Sequence, residues 1–143
     1  MEDNFKNKLE ILRAFWTKQG IDLNSGISKS LIDNFQAGFS FKFEDNFLVY
    51  MTEINGFIDY CSDEAWFCFW DLERMKIENT DNSHPKDLIW FSDHSINLCS
   101  FGFHKNDQKI YTHYDRSTDI IFIANNFSEF VDIYLYDPYK LIM

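Results

Sequence analysis

The chain has 143 residues, 45% of them hydrophobic, and carries 23 acidic against 13 basic side chains for a formal net charge of −10. A chain of this length buries roughly two-thirds of its unfolded surface, so its core needs neither disulfide nor metal, and a single domain over 1–143 is expected. The acidic balance disfavours direct nucleic-acid binding, which needs clustered Lys and Arg, and no run approaches the roughly 20 apolar residues of a membrane span.

Aromatics make up 19% of the residues, with sixteen Phe and four Trp, which predicts a core built on large rings. The cysteines, Cys61, Cys68 and Cys99, are odd in number and lack CxxC spacing. Cys68 and Cys99 lie in apolar runs, where a thiol behaves as a small hydrophobe. Free thiols, and an amino terminus that is amphipathic and charged, predict a cytoplasmic protein. The charge is unevenly spread: residues 1–43 sum to +1, residues 44–93 to −9 and residues 94–143 to −2.

In chain order, Phe5, Leu9, Leu12 and Trp16 recur at helical spacing, predicting a helix over 4–18 with Asp3 or Asn4 as cap and Gly20 as its stop. A polar connection over 20–26 precedes a short helix that begins near Ser28 or Ser30, presents Leu31, Ile32 and Phe35, and breaks at Gly38. Glu44 and Asp45 open a third helix, since acids suit the positive end of the dipole. Its apolar stripe is Phe47, Tyr50, Met51 and Ile54, and Asn55-Gly56 closes it. Ala65–Trp70 is an unbroken apolar run, which predicts a strand buried on both faces. A single helical turn at 71–75 and a long polar loop over 76–86 follow.

The second half carries strand-like runs at Leu88–Phe91, Ile96–Phe103, Lys109–Tyr114 and Asp119–Ala124, with turn chemistry at 105–108 and 115–117. Alternation over such short spacings predicts an antiparallel meander. Phe127, Phe130, Val131, Tyr134 and Leu135 then share one helical face over 126–136, with Asn126 and Glu129 at capping-box spacing. The expected fold class is α+β, with amino-terminal helices, a twisted, mainly antiparallel sheet and a closing carboxy-terminal helix. Phe127, Phe130, Val131 and Leu135 are expected to be buried against that sheet.

Signatures of catalysis are absent: the chain has no GxSxG, SxxK, Walker loop or GxGxxG. His84, His94, His104 and His113 are nine or more residues apart, without HExxH spacing, so neither metal nor cofactor is expected, and His104 and His113 read as surface residues beside turns. Paired acids occur at Glu44/Asp45, Asp63/Glu64 and Asp71/Glu73. Two carboxylates can serve as acid and base in glycoside hydrolysis, which leaves open a hydrolase built on the acids of 59–73. The competing reading is simpler: Glu44 and Asp45 complement a helix start, and the other four flank Ala65–Trp70, where charge deters aggregation.

The order of the pieces is informative. Phe43-Glu44-Asp45-Asn46-Phe47 leads to Asn55-Gly56-Phe57, then to Phe69-Trp70-Asp71-Leu72-Glu73-Arg74-Met75, Trp90-Phe91-Ser92-Asp93 and Asn126-Phe127-Ser128-Glu129-Phe130. This order resembles the SUKH superfamily, which includes the Smi/Knr-type cell-wall synthesis regulators, over residues 28–136. The chain departs from that pattern at Lys42-Phe43, where the family often has Leu-Pro, and at His94-Ser95-Ile96, where it often has a Gly-rich, acidic turn. Asn126 replaces a Ser cap, a chemically equivalent choice.

The resemblance implies a non-catalytic protein-binding domain: an immunity protein neutralising a polymorphic toxin of nuclease type, as many bacterial members are, or a regulatory scaffold linked to cell-wall synthesis, as fungal members are. For the immunity role the expected partner is a basic toxin domain, with neither direct nucleic-acid nor membrane contact. The expected docking residues are Glu44, Asp45, Asp59, Asp63, Glu64, Asp71 and Glu73, with Trp66 or Trp70 as aromatic anchors.

Overall fold

The computed structural model describes residues 2–81 and 84–142. Asn82 and Ser83, part of the predicted 76–86 loop, lie outside the described residues, as does the side chain of Asp3, one of the two expected caps. Helix α1 (Glu2–Lys18) buries its whole predicted stripe, Phe5, Leu9, Leu12 and Trp16. Strand β1 (Leu23–Ser25) leads to α2 (Lys29–Phe39), where the Ser28 hydroxyl accepts the Leu31 N–H as cap. Ile32 and Phe35 are buried, but Leu31 is exposed. Gly38 does not break this helix; it ends at Ser40, in the left-handed conformation.

Helix α3 (Asp45–Glu53) buries Phe47, Tyr50 and Met51. The expected role of Asn55-Gly56 as a helix stop is corrected: the chain passes directly into β2 (Ile54–Phe57), which pairs antiparallel with β1. Gly56 takes φ +65, and a Cβ there would lie 2.4 Å from the Trp70 carbonyl carbon. Glycine at this point therefore permits a backbone crossing that no larger residue allows.

The apolar run Ala65–Trp70 contributes only β3 (Phe67–Phe69), all buried, while Trp66 is exposed. The single turn expected at 71–75 extends to a full helix, α4 (Leu72–Thr80), whose buried face includes the polar Arg74 and Asn79. Strands β4 (Leu88–His94), β5 (Cys99–His104), β6 (Ile110–Tyr114) and β7 (Ile121–Ala124) join β3 in one antiparallel sheet of order β3-β4-β5-β6-β7, the expected meander. Helix α5 (Phe127–Tyr136) closes the fold, with Asn126 Oδ1 accepting the Glu129 N–H at 2.8 Å. Phe127, Phe130 and Val131 are buried as expected. Leu135 is only half-buried; Tyr134 takes the inward position because its hydroxyl has buried partners.

The two faces of the sheet have opposite chemistry. Opposed residues of an antiparallel pair share a face, so the register puts Phe69, Ser92, Phe101 and Thr112 on one side and Cys68, Asp93, Ser100 and His113 on the other. The first side meets rings from α1, α3 and α5, with Trp16 at 4.9 Å from Phe69, Phe47 at 5.0 Å from Phe103 and Phe130 at 5.4 Å from Phe101. The polar side is covered by α4, whose Arg74 reaches Asp93 and whose Asn79 bonds both the N–H and the C=O of Trp90. His113 is thereby buried, against the expectation of a surface residue. The register turns it under α4 and the His84 ring.

Candidate functional site

At one end of the sheet the segment 58–66 and the β4–β5 turn lie side by side. Asp63 organises the first: its Oδ1 accepts the N–H groups of Ala65 at 2.8 Å and Phe67 at 2.9 Å, and its Oδ2 accepts the Tyr134 hydroxyl. That hydroxyl in turn accepts the Trp16 indole N–H at 2.7 Å, which ties the loop to α1 and α5. Burial raises the Asp63 pKa, against the opposing pull of its bonds to Tyr134, Phe67 and Ala65. The tight loop leaves Asp59, Tyr60 and Trp66 at positive φ and turns the Trp66 ring outward, 61% exposed.

The β4–β5 turn is more unusual. Ser95, Ile96 and Asn97 are consecutive and all left-handed, at φ 53, 54 and 63. None is glycine, and a β-branched residue there is strained. The Ser95 N–H donates to the Trp66 carbonyl at 2.9 Å, joining the two segments, and Ile96 stands 82% exposed.

A buried ionic cluster holds this turn. Asp93 accepts the Asn97 N–H and, at 2.7 Å, the Trp70 indole N–H. Arg74 pairs with Asp93 at 3.5 Å and Glu78 at 3.2 Å, and its guanidinium lies over the rings of Tyr60 and Trp70 at 4.3 and 4.8 Å. Glu78 also meets His84 Nε2 at 2.9 Å and the Asn97 amide at 3.3 Å. Burial would push the Glu78 carboxyl up, but the bonds from His84 and Asn97 and the charge of Arg74 outweigh it and bring its pKa down to about 2.

A family model, the SMI1 / KNR4 family (SUKH-1), matches residues 26–133, three-quarters of the chain. The chain belongs to the SUKH-1 family. No curated protein matches it. For this SUKH-1 chain, membership indicates a protein-interaction or immunity-type domain, in a family that is generally non-catalytic. Among the described residues no helix is long and apolar enough to cross a membrane, and no group of three or more His, Cys, Asp or Glu is placed to hold a metal.

The SUKH-1 fold distributes the sequence-predicted residues unevenly. Asp59 and Glu64 are exposed in the same loop as Trp66, and Glu73 is exposed in the first turn of α4. Asp71 caps that helix, accepting the Arg74 N–H at 2.8 Å. Asp63 and Trp70, 6% and 3% exposed, are tied into the interior by Tyr134 and Asp93 and offer no face to a partner. Glu44 and Asp45 line a separate groove with Lys8, Asn126 and Asp132, where Glu44 accepts the Phe127 N–H at 3.1 Å. Burial raises the Glu44 pKa, the Phe127 N–H opposing it. The acids of 59–73 thus go to loop organisation, a helix cap and solvent, with no shared reaction centre among them.

Arg74, Glu78, Asp93 and Asn97 are not among the sequence-predicted site residues, and His84 is weighed there only as a metal ligand. A usable signal existed for the first two: Arg74 and Glu78 stand at i, i+4, the spacing of an ion pair on a helix.

Proposed function

We propose that this chain is an immunity-type binding protein that neutralises a basic toxin domain, docking it through the rim formed by the 59–66 loop and the 95–98 turn. The observation that carries this reading is the display of Trp66 and Ile96 on left-handed backbone over a clamped polar base. Exposed apolar rings and β-branched residues held in unfavourable backbone conformations lower the stability of the isolated chain, and such strain concentrates at binding sites. Leu98, also exposed, extends the apolar surface. Asp59, Glu64 and Glu73 border it with negative charge, which suits a partner whose own cleft is basic, as a nuclease's is. An apolar centre with a charged rim is the anatomy of a protein interface, whereas the scattered acids give no support to hydrolysis.

The test is to search the neighbouring genes for a toxin and to co-express the chain with any toxin found there. Protection of the host and a stoichiometric complex are expected, with protection lost in Trp66→Ala. A neighbourhood of envelope genes, together with no toxin complex, would instead favour the regulatory scaffold.

A further inference from the structure

Beneath the β4–β5 turn lies a cavity of about 160 Å³, lined by His84, Asn97, Ser100, His113 and Asp115. Two of these residues bring buried polar atoms that have no partner among the described residues, His84 Nδ1 and Asn97 Oδ1. Glu78 determines what those atoms are. His84 Nε2 faces a Glu78 carboxylate oxygen at 2.9 Å and donates to it, so Nδ1 is the nitrogen left over, an acceptor whenever the ring carries a single proton. The Asn97 NH₂ donates to the other Glu78 oxygen at 3.3 Å, so the atom left over is its carbonyl oxygen. With His84 singly protonated both unpartnered atoms are acceptors, and the His84 side chain is more than nine-tenths buried. Buried acceptors left unpaired are unfavourable and rare.

The surroundings favour a cation. The cavity has no Lys or Arg among its lining residues, and Asp115 adds a carboxylate at an exposed position. Arg74 is engaged with Glu78 and Asp93, and Arg116 follows Asp115 in the chain without lining the space. The Asp115 N–H donates to the Leu98 carbonyl at 2.8 Å, which fixes the cavity against the exposed turn. Its volume exceeds the roughly 30 Å³ that one water occupies, leaving room for a methylene and its ammonium.

We propose that this cavity is a subsite for a primary ammonium, supplied by a lysine side chain of the docking partner. The three N–H donors of an ammonium match the two orphan acceptors and the Asp115 carboxylate. The inference rests on the docking reading above for the source of the lysine, but the chemistry of the cavity is testable without any toxin.

The experiment is an NMR titration of the purified chain with n-butylammonium, following the Asn97 side-chain amide and the His84 ring. Saturable shifts on the order of 1–10 mM are expected, as suits so small a ligand, with 1-butanol at least tenfold weaker. Asn97→Leu should abolish the shifts. Asp115→Asn, a change at an exposed site, should weaken them threefold or more even if Asn97→Leu fails to fold. Nα-acetyl-lysine methylamide should bind at least as tightly as butylammonium. Preference for putrescine over the lysine amide would overturn the assignment to a partner's side chain in favour of a free polyamine. Shifts that do not saturate, or that 1-butanol matches, would overturn the ammonium site and leave a cavity for water only. Neither result touches the docking reading, which stands or falls on the toxin complex and Trp66→Ala.

Discussion

Glu78 receives Arg74, His84 and Asn97 on its two oxygens, and the Asn97 it holds belongs to the strained turn. Its pKa, lowered from 4.5 to about 2, sets the sign of a pH effect. A carboxylate depressed in the folded state contributes stability that is complete above its unfolded pKa and drains as pH falls through the folded one. Unfolding free energy should therefore fall as the medium is acidified from pH 4.5 to about 2. Glu78→Gln should flatten that segment in urea melts taken across the window, and should cost about 1–3 kcal/mol at pH 7 by leaving Arg74 less well paired. Asp63 works in the opposite sense. Burial raises its folded pKa above 3.8, so its contribution is fully present below that value and is lost as pH rises through the folded pKa.

Helix α5 is held at the scale of a whole element by rings. Phe130 alone meets Phe91 at 5.2 Å, Phe101 at 5.4 Å and Phe69 at 6.2 Å. Phe130→Ala should cost about 3–5 kcal/mol, because a void among aromatic rings on three strands cannot close; calorimetry that shows an unchanged melting temperature would remove α5 from the core. Helices α1 and α5 were legible in the sequence because their buried faces are apolar at the helical period. Helix α4 was not, beyond its first turn. Its buried side is made by Leu72, Arg74, Met75 and Asn79, and apolar periodicity is blind to a face that packs through ion pairs and amides. The site follows the same rule. Trp66 and its neighbouring acids could be picked out in the sequence as candidates, but the burial of Asp63 and Trp70 could not, because each depends on a distant partner, Tyr134 or Asp93. The left-handed run at 95–97 was hidden for want of glycine: Asp93 and Glu78 hold by hydrogen bonds a conformation that glycine would adopt freely.

Across the whole molecule, the division of labour is between an aromatic core on one sheet face and a charged cluster on the other, with the rim at the end where both meet solvent. If the rim docks a basic toxin, its two kinds of residue should act on different rate constants. Exposed acids steer encounter, so charge reversal at Asp59, Glu64 and Glu73 should lower the association rate about tenfold at low salt. That loss should shrink as the screening length contracts to about 8 Å at physiological ionic strength. Trp66, as an anchor that is desolvated only in the complex, should act on dissociation instead. Trp66→Ala should raise the off-rate by about 30-fold or more with little change in association. Ile96→Gly should separate stability from function. It relieves a left-handed β-branched residue and so should stabilise the free chain by about 1 kcal/mol, while weakening the complex by removing an exposed apolar contact. Stopped-flow association and dissociation measured across ionic strengths, with urea melts of the same variants, reads all three effects at once. Rates that are unmoved by charge reversal at every ionic strength, together with an Ile96→Gly variant that is both more stable and fully able to bind, would place the docking surface elsewhere on the molecule. The groove lined by Glu44, Asp45 and Asp132 would then be the next acidic surface to reverse.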